Sequence, residues 1–334
     1  MNALLLEQAS HIEQYPLLAA ELPLPSLQPN EILVKIHVCG ICHTDLHTVE
    51  GDIHPPKLPI IPGHQIVGTV ARNGARAERF KTGDRVGVAW LQFTCGCCAF
   101  CRSGRENLCD NPLFTGFHRN GGFAEYTTVH EDFAYLMPSC FSDREAAPLL
   151  CAGIIGYRSL KRCEFKSGKR LGLYGFGASA HIAIQIAVHE GCDVFVFTRG
   201  KHHQELASEL GAVWIGMAEE APPVKMDSAI IFAPAGALVP VALKNLDKGG
   251  ILALGGIHMS TIPPLDYAAC LFDERTVRSV TANTRQDGTE LMKLAEAIPI
   301  RTETQVFPLP EANKALHMLK TGQINGAGVL AISG

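Results

Sequence analysis

The spacing of hydrophobic and polar positions changes character near residue 151. Before that point, short apolar runs separated by Gly and Pro predict strands, and the alternating residues 31–38 are typical of one of them. After it, strand-like and helix-like segments follow one another in turn. The expected strands are 171–174, 193–197, 228–232, 251–254 and 329–332, and the expected helices are 179–190, 204–210, 238–246, 288–297 and 310–321.

This pattern predicts an α/β protein with two domains. The first part indicates an irregular, β-rich domain, and the alternating elements indicate a doubly wound parallel sheet. Because the last apolar run is too short to stand alone, we expect the tail to return to the first domain. The predicted domains are residues 1–152 together with 284–334, and residues 153–283 between them.

The composition supports a large hydrophobic core and excludes some classes of partner. Apolar residues make up 47% and charged residues 19% of 334 residues, which is too hydrophobic for a disordered chain. The 29 basic and 33 acidic residues leave a net charge of -4 with no basic block, so nucleic acid is not an expected partner. We find no signal peptide and no apolar run of about eighteen residues. A cytoplasmic protein with small-molecule partners and no membrane association is therefore expected.

Five of the twelve cysteines lie within fifteen residues. Cys95, Cys98 and Cys101 are evenly spaced, and Cys109 follows after seven further residues. Four thiolates at this spacing can surround zinc without leaving an open position, which predicts a structural zinc site. Cys97 is left out because it breaks the spacing. Ordinary buried cysteines are the alternative, but a dense cluster in a chain of this length is more typical of metal binding.

Three further potential ligands are dispersed through the first 151 residues. Cys42 and His64 each lie in a Gly-bounded segment that we interpret as a turn, and Cys151 lies where the β-rich part ends. Three protein ligands leave a fourth position for water or substrate, which is the arrangement of a catalytic zinc. Each residue alone is more often an ordinary core Cys or a hydrogen-bonded His. Their combination with the four-cysteine cluster favours the metal.

A Gly-rich turn separates the first strand of the second domain from its first helix. Gly175, Gly177 and Ala180 form G-x-G-x-x-A, which predicts a dinucleotide pyrophosphate at the helix N-terminus. The second strand is followed by Thr198 and Arg199 rather than by an acidic residue. Because a hydroxyl and a cation suit a 2′-phosphate, NADP(H) is favoured and NAD(H) is possible. A turn without a ligand and a solvated Arg are the alternatives.

These motifs resemble the zinc-dependent alcohol dehydrogenases of the medium-chain dehydrogenase/reductase superfamily, over essentially the whole chain. The likeness is carried, in the family's order, by the four-cysteine loop and by the segments Gly40–His47, Pro62–His64, Gly83–Val86, Gly121–Tyr126 and Leu150–Gly153. It implies a GroES-like catalytic domain, a Rossmann cofactor domain, and hydride transfer between an alcohol carbon and a nicotinamide. It also implies a homodimer or a homotetramer.

The resemblance further implies roles for individual residues. The catalytic zinc would be held by Cys42, His64 and Cys151. Asp45 would orient the ligand His64. Thr44 would take the alcohol proton and pass it, through ribose hydroxyls of the cofactor, to His47. His43 would lie near the cofactor pyrophosphate.

Four positions depart from the family pattern. Gln65 replaces a glutamate that usually follows the ligand His, and Ile155 replaces a threonine that commonly contacts the nicotinamide. Ala327 stands where many relatives have an arginine for the pyrophosphate. Ile53 replaces the bulky aromatic residue of ethanol-preferring relatives, whereas Trp90 is kept, which predicts a substrate pocket widened on one side.

We therefore expect a zinc-dependent alcohol dehydrogenase or aldehyde reductase that acts on primary alcohols, aromatic or medium-chain ones included. The alternative is a non-catalytic, zinc-containing relative that serves as a binding or structural protein, although such a protein needs neither an open metal position nor a proton path. A zinc-free quinone reductase would lack both cysteine-containing sets. Polyol dehydrogenases usually have a third ligand other than the one corresponding to Cys151.

Overall fold

The chain divides into two compact units. In a computed structural model that describes residues 1–332, one unit is Met1–Cys151 together with the segment that begins at Ala282, and the other is Ala152–Thr281. Residues 333 and 334, the end of the predicted first domain, lie outside the described residues. Among the described helices, all are too short or too polar to cross a membrane.

The first unit is built mainly from strands. They are β1 (Asn2–Leu6), β2 (Leu17–Glu21), β3 (Glu31–Gly40), β4 (Gln65–Asn73), β5 (Arg85–Val88), β6 (Leu91–Phe93), β7 (Leu113–Phe114), β8 (Tyr126–His130) and β9 (Ala134–Leu136). Its helices before residue 152 are α1 (His43–Glu50), α2 (Ala99–Arg102) and α3 (Asp143–Ala146). Short 3₁₀ helices cover Ile12–Gln14, Glu106–Leu108, Glu131–Phe133 and Ala147–Leu150.

In the second unit, strands and helices alternate. The strands are β10 (Arg170–Tyr174), β11 (Asp193–Phe197), β12 (Trp214–Gly216), β13 (Met226–Ile231), β14 (Leu246–Leu254) and β15 (Thr276–Ser279). The helices are α4 (Ala152–Arg162), α5 (Ala178–His189), α6 (Lys201–Glu209), α7 (Leu238–Asn245) and α8 (Tyr267–Cys270). The chain then returns to the first unit with α9 (Arg285–Ala297), β16 (Thr304–Pro308), a 3₁₀ helix (Leu309–Glu311), α10 (Ala312–Lys320) and β17 (Ala327–Ala331).

Strand β3 is the centre of the first unit. The main sheet has the order β16-β17-β3-β4-β5-β9, and β8 also pairs with β3. The returning strand β17 pairs antiparallel with the end of β3, with Val329 opposite Gly40. Most side chains of β3 are buried on both faces of the sheet, which explains its long apolar sequence. This rigid sheet positions Cys42 two residues beyond the end of β3.

The second unit has the strand order of a Rossmann fold. All neighbouring strands are parallel, in the order β12-β11-β10-β13-β14-β15. Counted from β10, this is the 3-2-1-4-5-6 order of dinucleotide-binding sheets, whose ligands lie beyond the carboxyl ends of the strands. Tyr174 and Phe197, the last residues of the neighbouring strands β10 and β11, are buried and stack with ring centroids 4.0 Å apart. The fold class predicted from the sequence is confirmed.

The element boundaries follow local signals that the hydrophobic pattern does not contain. Strand β11 covers the predicted residues 193–197, but α9 begins three residues before the predicted start. Thr284 caps it, because its side chain accepts from the Asp287 amide while the Asp287 carboxylate accepts the Thr284 N–H at 2.9 Å. The predicted strand 251–254 is only the end of β14. The turn interpretation of the segment around Cys42 is wrong, since residues 43–50 form α1.

Candidate metal centres and active site

Helix α1 presents the first ligand and the proposed proton-handling residues. Cys42 is its N-cap, and its sulfur accepts a hydrogen bond from the Thr44 backbone amide at 3.4 Å. The Asp45 carboxylate accepts from the Cys42 backbone N–H at 2.9 Å, which completes a capping box. The sequence signal for this helix is Asp45, three residues after the cap position. The sequence analysis missed it because Cys is an uncommon N-cap residue.

The three dispersed ligands meet in the first unit. Cys42 Sγ lies 3.4 Å from His64 Nε2 and 3.9 Å from Cys151 Sγ, and the three ligand atoms all lie within 4.8 Å of one another. Around a tetrahedral zinc with Zn–S near ~2.3 Å and Zn–N near ~2.0 Å, neighbouring ligand atoms are about 3.5 to 3.8 Å apart. The donor set therefore fits zinc and leaves one coordination position open.

Asp45 fixes the orientation of the ligand His64. The imidazole is 1% exposed and the carboxylate residue 3% exposed, with His64 Nδ1 at 3.0 Å from Asp45 Oδ1. The Gly63 N–H donates to the same oxygen at 3.2 Å. Because a carboxylate only accepts, Nδ1 carries the proton and the Nε2 lone pair faces the Cys42 sulfur. This is the contact that the resemblance implied for Asp45.

The electrostatics of this cluster favour a bound cation. Burial lowers the pKa of His64, but the Asp45 carboxylate and the Cys42 thiol outweigh burial, so the pKa lies well above its usual value. The pKa of Cys42 is also raised well above its usual value, chiefly by its contact with Cys151 and then by burial. A divalent cation reverses this tendency, because it stabilises thiolates and displaces protons from its ligands.

The four-cysteine cluster lies in the loop between β6 and β7. Its members approach one another within 4.8 Å and are Cys95, Cys98, Cys101 and Cys109. Backbone amides point at the sulfurs, as when the Cys98 N–H donates to Cys95 Sγ at 3.3 Å and the Cys101 N–H donates to Cys98 Sγ at 3.4 Å. Such amides lower the pKa of Cys95 to about 6 and so favour its thiolate. Cys97 is exposed and outside the cluster.

Two residues of α1 are placed for proton transfer. Thr44 is buried, and His47 lies three residues on, which puts both on one helix face. His47 Nδ1 lies 2.7 Å from the Asp52 carboxylate, so in the neutral ring Nδ1 carries the proton and Nε2 is the basic nitrogen. The sequence analysis missed Asp52. Its only signal is its position directly after Gly51, the left-handed residue that ends α1.

An aromatic cluster adjoins the ligand His64. The Trp90 ring meets the His64 imidazole edge-on with centroids 5.1 Å apart, and stacks on Phe114 at 4.9 Å. Phe117 lies 5.7 Å from Trp90 on centroids. The sequence identified Trp90 but not the two phenylalanines, which are brought to it by β7 and the turn that follows. Ile53, the other predicted pocket residue, follows α1 and its N–H donates to the His47 carbonyl at 3.2 Å.

The Gly-rich turn has the predicted context in the second unit. Gly175 has φ +85°, and a Cβ there would lie 2.9 Å from the Ala233 backbone nitrogen, so only glycine fits. Gly177 is the N-cap of α5 without a side-chain hydrogen bond, which leaves the first helical amides for a ligand. Ala180 is fully buried under the turn.

The end of β11 offers exposed cations. Thr198 is buried and its carbonyl accepts from Gln204 Nε2 at 3.0 Å, whereas the following Arg199 is exposed. Helix α6 begins at Lys201 after Gly200, again without a side-chain cap. His203, in its first turn, lies 6.3 Å from the His181 ring on centroids. The sequence analysis did not single out these histidines.

The remaining predicted positions lie on four different elements. His43 opens α1, and burial together with the neighbouring His47 lowers its pKa. Gln65 is buried at the start of β4, and its Nε2 has no hydrogen-bond partner among residues 1–332. Ile155 lies on α4 and Ala327 begins β17, both half-buried. The structure supports the predicted geometry of the zinc ligands. It does not explain why Gln65, Ile155 and Ala327 depart from the family pattern.

Comparisons with known proteins agree with this architecture. Residues 28–139 match the family model "Alcohol dehydrogenase GroES-like domain", and residues 180–297 match "Zinc-binding dehydrogenase". A Mycobacterium tuberculosis protein named "Probable alcohol dehydrogenase AdhA" is 48% identical over 99% of this chain and 97% of its own length. A Geobacillus stearothermophilus alcohol dehydrogenase is 34% identical over 97% of this chain and 99% of its own.

A solved structure extends the likeness to three dimensions. The structure titled as CAD from Helicobacter pylori complexed with NADP(H) has a TM-score of 0.87 and 26% identity, and covers 99% of this chain and 97% of its own. The chain belongs to the zinc-binding alcohol dehydrogenase family, with a GroES-like domain and a Rossmann sheet. It is an alcohol oxidoreductase with small-molecule alcohol substrates, as the sequence predicted. Neither its relatives nor its site favours the non-catalytic alternative.

Proposed function

We propose that this protein oxidises primary alcohols, or reduces the corresponding aldehydes, at a zinc held by Cys42, His64 and Cys151, with NADP(H) as the favoured cofactor. The observation that carries the proposal is the packing of two sulfurs and one imidazole nitrogen at tetrahedral distances with a fourth position open. When bound, zinc would stabilise negative charge on the substrate oxygen and the nicotinamide would exchange the hydride.

The chain's own residues hold and move the alcohol proton. We assign the Thr44 hydroxyl as the group that receives it and His47 Nε2 as the base from which it leaves to solvent. Asp52 supports this role because its carboxylate holds the proton on His47 Nδ1 and so keeps Nε2 basic. Asp45 keeps His64 in the tautomer that binds metal through Nε2.

Trp90 sets the apolar side of the substrate site. Its ring is fixed between the His64 edge and the Phe114 face, so it is a rigid aromatic wall beside the ligand set. The smaller Ile53 leaves volume that ethanol does not fill, and each additional buried methylene stabilises binding by about 0.8 kcal/mol. We infer that medium-chain and aromatic primary alcohols are better substrates than ethanol.

An initial-rate panel tests the substrate class. Primary, aromatic and secondary alcohols are compared by kcat/KM with each nicotinamide cofactor, and the Ile53→Trp variant is compared with wild type. We expect benzyl alcohol and hexanol to exceed ethanol, and Ile53→Trp to shift the preference toward ethanol. Equal kcat/KM for ethanol and benzyl alcohol in the wild type would contradict the widened pocket.

The end of β11 supports NADP(H) as the favoured cofactor. An acidic residue there would repel a 2′-phosphate, whereas Thr198, Arg199 and the uncapped first turn of α6 attract one. The similar CAD from Helicobacter pylori, solved as a complex with NADP(H), is consistent with this preference. NAD(H) use remains possible, because an exposed Arg–phosphate contact is weakened by salt.

Two substitutions test the cofactor assignment. Arg199→Ala should weaken NADP(H) more than NAD(H), and Thr198→Asp should reverse the preference, while Lys248→Ala, an exposed cation elsewhere in the second unit, should change neither. A wild-type kcat/KM about tenfold higher with NAD(H), equivalent to about 1.4 kcal/mol, would overturn the assignment.

The remaining assignments are part of the same proposal. Residues 153–283 would bind the nicotinamide cofactor through Gly175, Gly177 and Ala180, and His43 would approach its pyrophosphate. A second zinc would occupy the four-cysteine cluster. A homodimer or homotetramer in the cytoplasm, without nucleic-acid or membrane partners, stays a prediction from the resemblance and the charge pattern.

A further inference from the structure

A cavity of about 250 Å³ lies in the first unit, and no member of either cysteine set lines it. Glu31, at the start of β3, lines it, whereas Cys42 lies beyond the other end of that ten-residue strand. Another lining residue, Gln92, lies two residues beyond Trp90, whose ring contacts the ligand His64, so the dispersed set is near one side of the cavity. Its volume corresponds to about eight water molecules, which suits a small metabolite.

Two exposed arginines, Arg76 and Arg119, are among the residues that line this cavity. Arg76 is held beside its wall by a hydrogen bond from its backbone N–H to the Pro29 carbonyl at 2.7 Å. Arg119 is held in the turn after β7, where its N–H donates to the Phe114 carbonyl and its carbonyl accepts from Gly116. Within residues 1–332, neither guanidinium has an ion-pair or hydrogen-bond partner. Both groups are therefore available to a carboxylate or a phosphate.

Gln92 provides a buried hydrogen-bond acceptor at the same cavity. The residue is 4% exposed, and its Nε2 donates to the Thr128 carbonyl at 2.7 Å. Its Oε1 is buried and has no partner within residues 1–332. A buried acceptor without a donor is disfavoured, so a ligand that brings a hydroxyl or amine hydrogen to this oxygen would be bound preferentially.

The remaining walls define what else the ligand must carry. Glu31 adds one carboxylate, which accepts from the Gln28 N–H at 3.1 Å, so one acidic and two basic side chains leave the lining with a net positive charge. His130 Nδ1 accepts from the Asp132 amide at 3.2 Å, so its neutral ring carries the proton on Nε2 and can donate. The Phe93 ring is 36% exposed and supplies an apolar wall.

We propose that this cavity binds a small hydroxylated organic anion, with the acid group on Arg76 and Arg119 and a hydroxyl donating to Gln92 Oε1. Hydroxycarboxylates and phosphate esters of polyols share this chemistry. No residue assigned to zinc binding or proton transfer lines this cavity. Because Gln92 and Phe93 lie on β6 and Leu113 on β7, an occupant would bridge the two strands that flank the four-cysteine loop.

Calorimetric titration of the zinc-loaded full chain tests the proposal. The probes are L-malate, glycerol 3-phosphate and succinate, which matches malate except for its hydroxyl. We expect malate or glycerol 3-phosphate to bind with Kd below about 1 mM, and succinate to bind at least about tenfold more weakly than malate where malate binds. Malate binding alone identifies a carboxylate site, and glycerol 3-phosphate binding alone identifies a phosphate-ester site.

Variants distinguish this cavity from coordination of a carboxylate to zinc. Arg119→Gln and Arg76→Gln should each weaken the bound probe at least about tenfold, whereas Arg72→Gln, an exposed arginine outside the cavity, should leave it unchanged. If malate is bound, Gln92→Met should reduce the difference between malate and succinate. The proposal is overturned if neither probe binds, if succinate binds as tightly as malate without glycerol 3-phosphate binding, or if both Arg variants bind like wild type.

Discussion

The two cysteine-containing sets have similar donor atoms but are assembled differently. One comes from a single loop, and the other from several elements that are distant in sequence. The four-cysteine cluster comes from one loop between β6 and β7, and backbone amides of that loop point at its sulfurs. The dispersed set collects Cys42 from a helix N-cap, His64 from the residue before β4 and Cys151 from the C-cap of a 3₁₀ helix. The first set is locally closed, whereas the second depends on the central sheet and leaves a position open.

Because of this difference, we expect a metal to have a different role in each set. A metal in a locally closed loop stabilises that loop directly, because a preformed site does not exist in the unfolded chain. A metal at the open set would act on a substrate, and we expect the central sheet and the contact between His64 and Asp45 to hold its ligands without the metal. Loss of a ligand should therefore affect stability at the first set and turnover at the second.

The largest expected effect is on turnover, from Cys42→Ser. The loss of a thiolate ligand should reduce alcohol oxidation at least about a thousandfold, which corresponds to about 4 kcal/mol in the activation free energy. The thermal midpoint should change little, because the β3–β4 framework remains. The exposed Cys140→Ser is the control and should keep full activity. Turnover of Cys42→Ser near the wild-type value would remove this set from the mechanism.

The next effect is on stability, from Cys98→Ser in the four-cysteine loop. Loss of one thiolate should lower the free energy of unfolding by about 2 to 5 kcal/mol because the loop loses its metal, whereas the new serine can still cap α2. Urea unfolding and the thermal midpoint measure it. The exposed neighbour Cys97→Ser should unfold like the wild type. Equal losses in both variants would show that the cluster does not depend on the spacing of its four members.

A smaller effect is expected from Asp45→Asn, which keeps the shape of the residue but removes the charge facing His64. Zinc affinity at the dispersed set should fall by about 10- to 100-fold, because outer partners orient and polarise ligand histidines. Competition with a chelator measures it directly, while the affinity of the four-cysteine cluster serves as the internal control. Unchanged affinity would mean that the 3.0 Å contact between Asp45 and His64 does not tune the metal.

The smallest expected effect is on the free energy of unfolding, from Asp227→Asn. Asp227 lies in the second unit, which contains neither cysteine set. Arg170 lowers the pKa of Asp227 to about 2 by a hydrogen-bonded ion pair. Since the folded-state pKa lies below the unfolded value near ~3.9, the stabilisation is present above pH ~4 and is lost as the pH falls toward ~2. After allowance for solvent screening, Asp227→Asn should lower the free energy of unfolding by about 1 kcal/mol near neutral pH.

The pH dependence provides the check on this last prediction. The difference in thermal midpoint between wild type and Asp227→Asn should be constant from pH ~7 to pH ~5 and should shrink toward pH ~2. The exposed Glu219→Gln is the matched control and should follow the wild type throughout. A difference that grows on acidification would contradict the assigned direction of the pKa shift.

The sequence predicted what is encoded over short distances. The four-cysteine spacing, the G-x-G-x-x-A turn and strand β11 each depend on neighbouring residues. The dispersed ligands were indicated by their combination with the four-cysteine cluster, and the resemblance implied the same three residues. Helix α1 was missed because its cap is Cys42, which is an uncommon cap, and its apolar pattern is weak. The contact of Asp52 with His47 depends on a turn, and the contact of Phe114 with Trp90 depends on strand pairing. The hydrophobic periodicity of the sequence encodes neither.

The most direct test of the account is the zinc content of the wild type, Cys42→Ser and Cys98→Ser, measured by elemental analysis alongside activity. We predict two zinc ions per wild-type chain. Cys42→Ser should retain one zinc and a normal thermal midpoint without turnover, and Cys98→Ser should lose the other zinc together with stability. A single zinc in carefully prepared wild-type protein, or a parallel loss of stability and turnover in both variants, would contradict two separate centres.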